Sequence, residues 1–162
     1  MAKDLKAKKY EIDVLFDAAL AAAGLDPFSY KGDIEGKGKD FQLLIDQNLG
    51  WIDLHLKTQN AKDDAAAVFS TGVIQWLSPQ GTPDPTPVSF AVQRSADDLA
   101  TLVNINRVEL KGSQVTFNFE IGVVYRGKTF TSPDPTIINV DPTGGGGFLL
   151  EEPVPVAVSA VS

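Results

Sequence analysis

Large apolar residues alternate with polar ones across residues 115–121. Val115, Phe117, Phe119 and Ile121 fall on one side, and Thr116, Asn118 and Glu120 fall on the other. Successive strand side chains point to opposite faces, so this pattern predicts a strand with one buried face. Gly122 interrupts, as a bulge or close backbone approach would require, and Val123, Val124 and Tyr125 resume the strand. Arg126-Gly127 is a turn, because glycine accepts positive φ without steric cost. Residues 128–131 run back. Ser132-Pro133-Asp134-Pro135 then breaks the ladder, since neither proline donates a backbone hydrogen bond. Residues 136–140 form a last strand, and Asp141-Pro142 ends it.

Similar patterns precede this hairpin. Tyr10, Ile12, Val14 and Phe16 alternate with Glu11, Asp13, Leu15 and Asp17, which suits a strand over residues 9–16 followed by a helical turn over 17–23. The same region also reads as one amphipathic helix over residues 5–23, because Ile12, Leu15, Phe16, Ala19 and Ala22 share a helical face. Asp26-Pro27 and Phe28-Ser29-Tyr30 follow, and residues 31–39 form a polar, Gly-rich connection. Short strands are predicted over 41–46 and 51–57. In the latter, Ile52, Leu54 and Leu56 oppose Trp51, Asp53, His55 and Lys57. Further strands fall within 65–77, with Gly72 as a bulge, and over 88–93 and 102–110. The proline-rich run of residues 79–87 cannot lie in a central strand. Short strands separated by frequent turn signals predict an all-β fold, a β-sandwich with an optional short N-terminal helix. Residues 1–143 read as a single domain. Four consecutive glycines at 144–147 then hinge an extended tail over 144–162. In that tail Phe148, Leu149, Leu150, Val154, Val156 and Val158 are the candidate assembly residues.

The 162 residues suffice for one domain with a real core. No apolar run approaches the roughly 20 residues of a membrane-spanning helix. The chain lacks cysteine, which removes disulfides, thiolate metal sites and cysteine nucleophiles. That absence and the lack of a signal-like start favour a cytoplasmic location. The net charge is −7, concentrated in residues 41–162, which opposes binding to a phosphate backbone. Lys3, Lys6, Lys8 and Lys9 make a small basic arm that reads as a solvated terminus.

Candidate chemistry is sparse. Gly36-Lys37 lacks the spacing and the following Ser or Thr of a phosphate loop. His55 is the one histidine, and no serine sits in a nucleophile context for it to serve. The nitrogen and sulfur ligands that dominate structural zinc sites are scarce, with one His and no Cys, so no zinc site is expected. Asp84, Asp134 and Asp141 lie in proline-rich loops and are weak calcium candidates, although Asp before Pro is more often a turn former. Asp53, Glu109 and Glu120 are strand-borne carboxylates that an acid/base pair would use. Trp51, Trp76 and Tyr125 could form an aromatic platform for a glycan or other small ligand, with core packing as their commoner use. No cofactor is implied.

Pro83-Asp84-Pro85-Thr86 and Pro133-Asp134-Pro135-Thr136 are identical tetrapeptides, each ahead of a strand. The second belongs to SPDPTIIN, within residues 131–142, which resembles the signature of the DP-EP family of small uncharacterised bacterial proteins. The resemblance rests on Asp134-Pro135, the following Ile137-Ile138-Asn139, and an acidic-Pro pair. Here that pair is Asp141-Pro142 in place of Glu-Pro, with Glu152-Pro153 further on. It implies an immunoglobulin-like antiparallel β-sandwich and brings over no activity, cofactor or catalytic residue. The resulting expectation is a non-enzymatic, self-associating structural protein with its tail as contact arm. It would meet itself or another protein, with no nucleic acid and no membrane span. The alternative is a module binding a small molecule, a glycan or calcium.

Overall fold

The computed structural model describes residues 6–34, 40–62, 65–133 and 135–142. Their elements, in order, are β1 (Ala7–Asp17), α1 (Ala18–Ala22), β2 (Phe28–Gly32), β3 (Gln42–Ile45), β4 (Leu49–Gln59), β5 (Val68–Leu77), β6 (Pro83–Asp84), β7 (Phe90–Ala96), β8 (Leu99–Ile105), β9 (Gln114–Tyr125), β10 (Lys128–Thr131) and β11 (Thr136–Val140). They form two sheets. The first runs β2-β1-β4-β8-β7 and the second β3-β11-β9-β5-β6, with β10 also on β9.

The expected all-β sandwich is what the chain forms. Most ladders are antiparallel, but β1 pairs parallel to β4, and β11 pairs parallel to β3. Parallel neighbours need a long crossover, and the chain supplies one between β1 and β4 by visiting the second sheet at β3. The strand-then-helix reading of the N-terminal region holds, and the long-helix alternative does not. Tyr10, Ile12, Val14 and Phe16 are all buried on one strand face. Asp17 closes the strand and caps α1, its carboxylate accepting from the N–H groups of Ala19 at 2.9 Å and Leu20 at 3.1 Å.

Two other expectations change. Residues 28–32 are an edge strand where the sequence pattern predicts no element at 28–30 and a connection at 31–32, and Phe28 and Tyr30 supply its buried face. The strand expected over 102–110 starts earlier and stops at Ile105. There the Asn106 side chain turns inward, its amide donating to the Val140 carbonyl at 2.7 Å while its oxygen accepts from the Val108 N–H. A side chain that bonds its own neighbourhood competes with ladder pairing.

The hairpin of β9 and β10 closes as expected, with Arg126 and Gly127 both at positive φ (51° and 75°). Gly122 is a close-approach glycine. A Cβ there would lie 2.5 Å from the Ser70 hydroxyl oxygen on β5. Opposite it β5 loses register between Phe69 and Ile74, around Gly72, and Val73 takes a strained φ of 60°. The tail, including Phe148, Leu149, Leu150, Val154, Val156 and Val158, lies outside the described residues.

The core is aromatic and continuous. Tyr30, Phe41, Phe119, Trp76, Phe90 and Phe117 pack ring to ring with centroids between 4.5 and 5.5 Å, linking both sheets. Such edge and tilted contacts add to area burial by about 0.5–1.5 kcal/mol per pair. One polar tie crosses the same interior. The side chains of Asn104 (β8) and Asn139 (β11) are fully buried and exchange reciprocal amide hydrogen bonds at 2.7 and 3.1 Å.

Candidate functional site

The parallel pairing of β1 with β4 builds a charged row on the outer face of the first sheet. Alternation puts Lys9, Glu11 and Asp13 outward on β1, and Asp53, His55 and Lys57 outward on β4. Each β1 side chain reaches diagonally past its register partner. The Lys9 ammonium lies 3.2 Å from Asp53, Glu11 lies 2.7 Å from His55, and the Lys57 ammonium lies 3.2 Å from Asp13. Lys9 also bridges to the second Glu11 oxygen at 3.3 Å. The Thr101 hydroxyl, from β8, donates to Asp53 Oδ1 at 2.6 Å.

This row sets the local electrostatics. Partial burial alone would raise the Asp53 pKa. The Thr101 and Lys9 hydrogen bonds, with the Lys9 and His55 charges, outweigh it and hold the carboxyl below its ordinary value. The same carboxylates hold the Lys9 ammonium above its ordinary range, chiefly through the Asp53 contact and then the Glu11 contact. Glu11, Asp53 and His55 each present a potential ligand atom within 4.8 Å of the other two. Among the described residues this is the one such grouping of three. Glu11 escaped the sequence reading because it stands 44 positions from His55. Charges at every second position of both segments were the available signal, but register alone joins them.

Trp51 stands on the same face, 45 % exposed, opposite Lys9 on β1 and Val103 on β8. Trp76 is buried in the second sheet and packs on Phe90 at 4.5 Å. Tyr125 is buried at the far end of β9 against Phe16 at 5.4 Å. The three therefore form no common platform. Asp84 is exposed on β6, Asp141 is buried beyond β11, and Asp134 lies outside the described residues. Neither Asp84 nor Asp141 groups with two other potential ligands among the described residues. Glu120 faces outward from the second sheet and Asp53 outward from the first, so the sandwich separates them.

A second feature sits at the edge of β9. Strand β5 stops pairing at Leu77, opposite Asn118, so residues 114–117 have β11 on one side and, among the described residues, no strand on the other. Residues 84–88 pass across this gap. With Trp76 and β9 they line an open cavity of about 450 Å³. The Trp76 indole N–H is buried without a hydrogen-bond partner among the described residues.

No family model matches the chain, and no curated protein does. Among solved structures it is similar to the inclusion body protein PixA from Burkholderia cenocepacia J2315, with 10 % sequence identity and a TM-score of 0.41. The match covers 87 % of this chain and 99 % of that one. A likeness of that degree carries no functional argument. No helix among the described residues is long and apolar enough to cross a membrane.

Proposed function

We propose that this chain is a non-enzymatic, self-associating structural β-sandwich whose C-terminal residues act as a contact arm. The observation that supports the reading is the unfinished edge of β9. An unpaired strand edge is a template for pairing with another extended segment. Val140 pairs with Gln114, so the described chain leaves β11 at Pro142 near the Gln114 end of β9, on the side of that strand opposite the gap. The following sequence offers four glycines and then an alternating Val154-Pro155-Val156-Ala157-Val158 segment. Such a segment would present its valines to one face while its non-proline backbone groups pair with the edge. Removing residues 144–162 tests this. Light scattering across a concentration series should show a larger mass for the full chain than for the truncated one. Equal masses at every concentration overturn the reading.

A second reading, a small-ligand or glycan module, is favoured by one observation. Trp51 stands exposed beside hydrogen-bonding charged groups on a flat sheet face. Titrating the intrinsic fluorescence with a panel of glycans and with calcium checks it. A saturable shift lost in Trp51→Ala supports it, and an unchanged spectrum at millimolar ligand sinks it.

A further inference from the structure

We propose that Glu11, Asp53 and His55 form a binding site for one divalent transition-metal ion of the zinc class, with Lys9 as its built-in competitor. This inference does not depend on self-association. The three groups offer one imidazole nitrogen and two carboxylate oxygens, all within 4.8 Å of one another. Ligands of a common zinc ion sit about 2.0–2.2 Å from the metal. These atoms therefore need only small side-chain rotations to converge, and the half-exposed Glu11 and His55 have room to make them. The backbone beneath them is rigid in the relevant direction, since both strands are interior to the five-stranded sheet and locked in register over their whole length.

A cation already occupies the mouth of this set. The Lys9 ammonium lies 3.2 Å from Asp53 Oδ2 and 3.3 Å from Glu11 Oε2. The face thus selects positive charge at the point where the carboxylates converge. Thr101 engages the other Asp53 oxygen and fixes the carboxylate plane, as the outer partners of metal ligands do. Lys9 is 62 % exposed at its side chain and can swing into solvent when a dication takes its place. The mixed nitrogen and oxygen set suits zinc and its first-row neighbours. Calcium and magnesium prefer oxygen alone.

The chain has a single histidine, so its imidazole signals need no assignment. The experiment is a titration of the tag-free full-length protein with zinc chloride alone, read by the His55 imidazole resonances and by calorimetry. The expected result is saturable one-to-one binding with a shift at the His55 Nε2. Glu11→Gln and Asp53→Asn should each weaken it about tenfold or more, and His55→Ala should abolish the calorimetric signal. Lys9→Met should tighten binding several-fold, the opposite of what a merely structural lysine would do. Thermal melts of each variant establish that it folds. The proposal falls if millimolar zinc leaves the imidazole unmoved, or if Glu11→Gln and Asp53→Asn leave affinity unchanged. It also falls if Lys9→Met weakens binding, or if calcium moves the imidazole as zinc does.

Discussion

The tetrapeptide Pro-Asp-Pro-Thr occurs twice, and the two copies lead different lives. In the first, Pro83 and Asp84 make the two-residue edge strand β6 against Trp76 and Leu77, and all four residues are exposed. In the second, Pro135 and the preceding Ser132 are buried. The Pro135 carbonyl accepts from the Phe119 N–H, and Ser132 exchanges bonds with Ile121 through its hydroxyl, its N–H and the Ile121 carbonyl. Ser132 and Pro135 thereby bond to Ile121 and Phe119 along the same edge of β9. They sit between the β10 ladder, which ends at Thr131 opposite Gly122, and the β11 ladder, which starts at Thr136 opposite Asn118. Identical local chemistry thus serves as a rim ornament in one place and as an internal splice in the other. The prolines decide only that their own positions donate no backbone hydrogen bond; the neighbours decide what is made of that.

This contrast can be broken in graded steps. The largest effect is expected three residues beyond the second copy, at Asn139. Replacing it with Leu leaves the Asn104 amide buried and unpaired, which should cost about 2–3 kcal/mol in urea unfolding. The double replacement of Asn104 and Asn139 by Leu should recover at least half of that loss, because apolar partners leave no orphaned group. If the two single losses simply add, the pair is not acting as a unit. Next comes Ser132→Ala, which strips the Ile121 N–H of its acceptor inside the core and should cost about 1–2 kcal/mol. In the first copy, Asp84→Ala should change stability by less than about 0.5 kcal/mol, as exposed positions do. An Asp84→Ala loss as large as that of Ser132→Ala would erase the distinction between the two copies.

The smallest effect concerns acid stability on the outer face of the first sheet. The Asp53 pKa is lowered in the folded chain, so its stabilising contribution is present above the ordinary carboxylate value of about 4 and fades as pH falls through the folded value. Asp53→Asn should therefore flatten the acid limb of a stability-against-pH curve and leave its alkaline limb unmoved. A variant whose curve changes mainly above neutrality would show that another group carries the dependence.

Much of the sandwich was readable in the chain. The alternations at residues 10–16, 52–56 and 115–121 each named the correct buried face, and Asp17 marked where β1 gives way to α1. Gly122 and Gly72 signalled the irregular crossing of β9 and β5. The edge strand at 28–32 was hidden because a glycine-rich polar run follows it immediately. The candidate metal set was hidden more deeply, since His55 looked solitary until β1 came alongside.

The sequence alone determined which residues face inward, because strand geometry has a period of two that any short segment expresses by itself. It also determined the turn at Arg126-Gly127, since positive φ is a property of the residue and its immediate neighbours. Only the tertiary structure decided which strands are partners. Parallel pairing of β1 with β4, the meeting of Asn104 with Asn139, and the gap beside β9 all join residues far apart in the chain. Those choices come from burying both sheets at once against each other, and no local pattern carries that information.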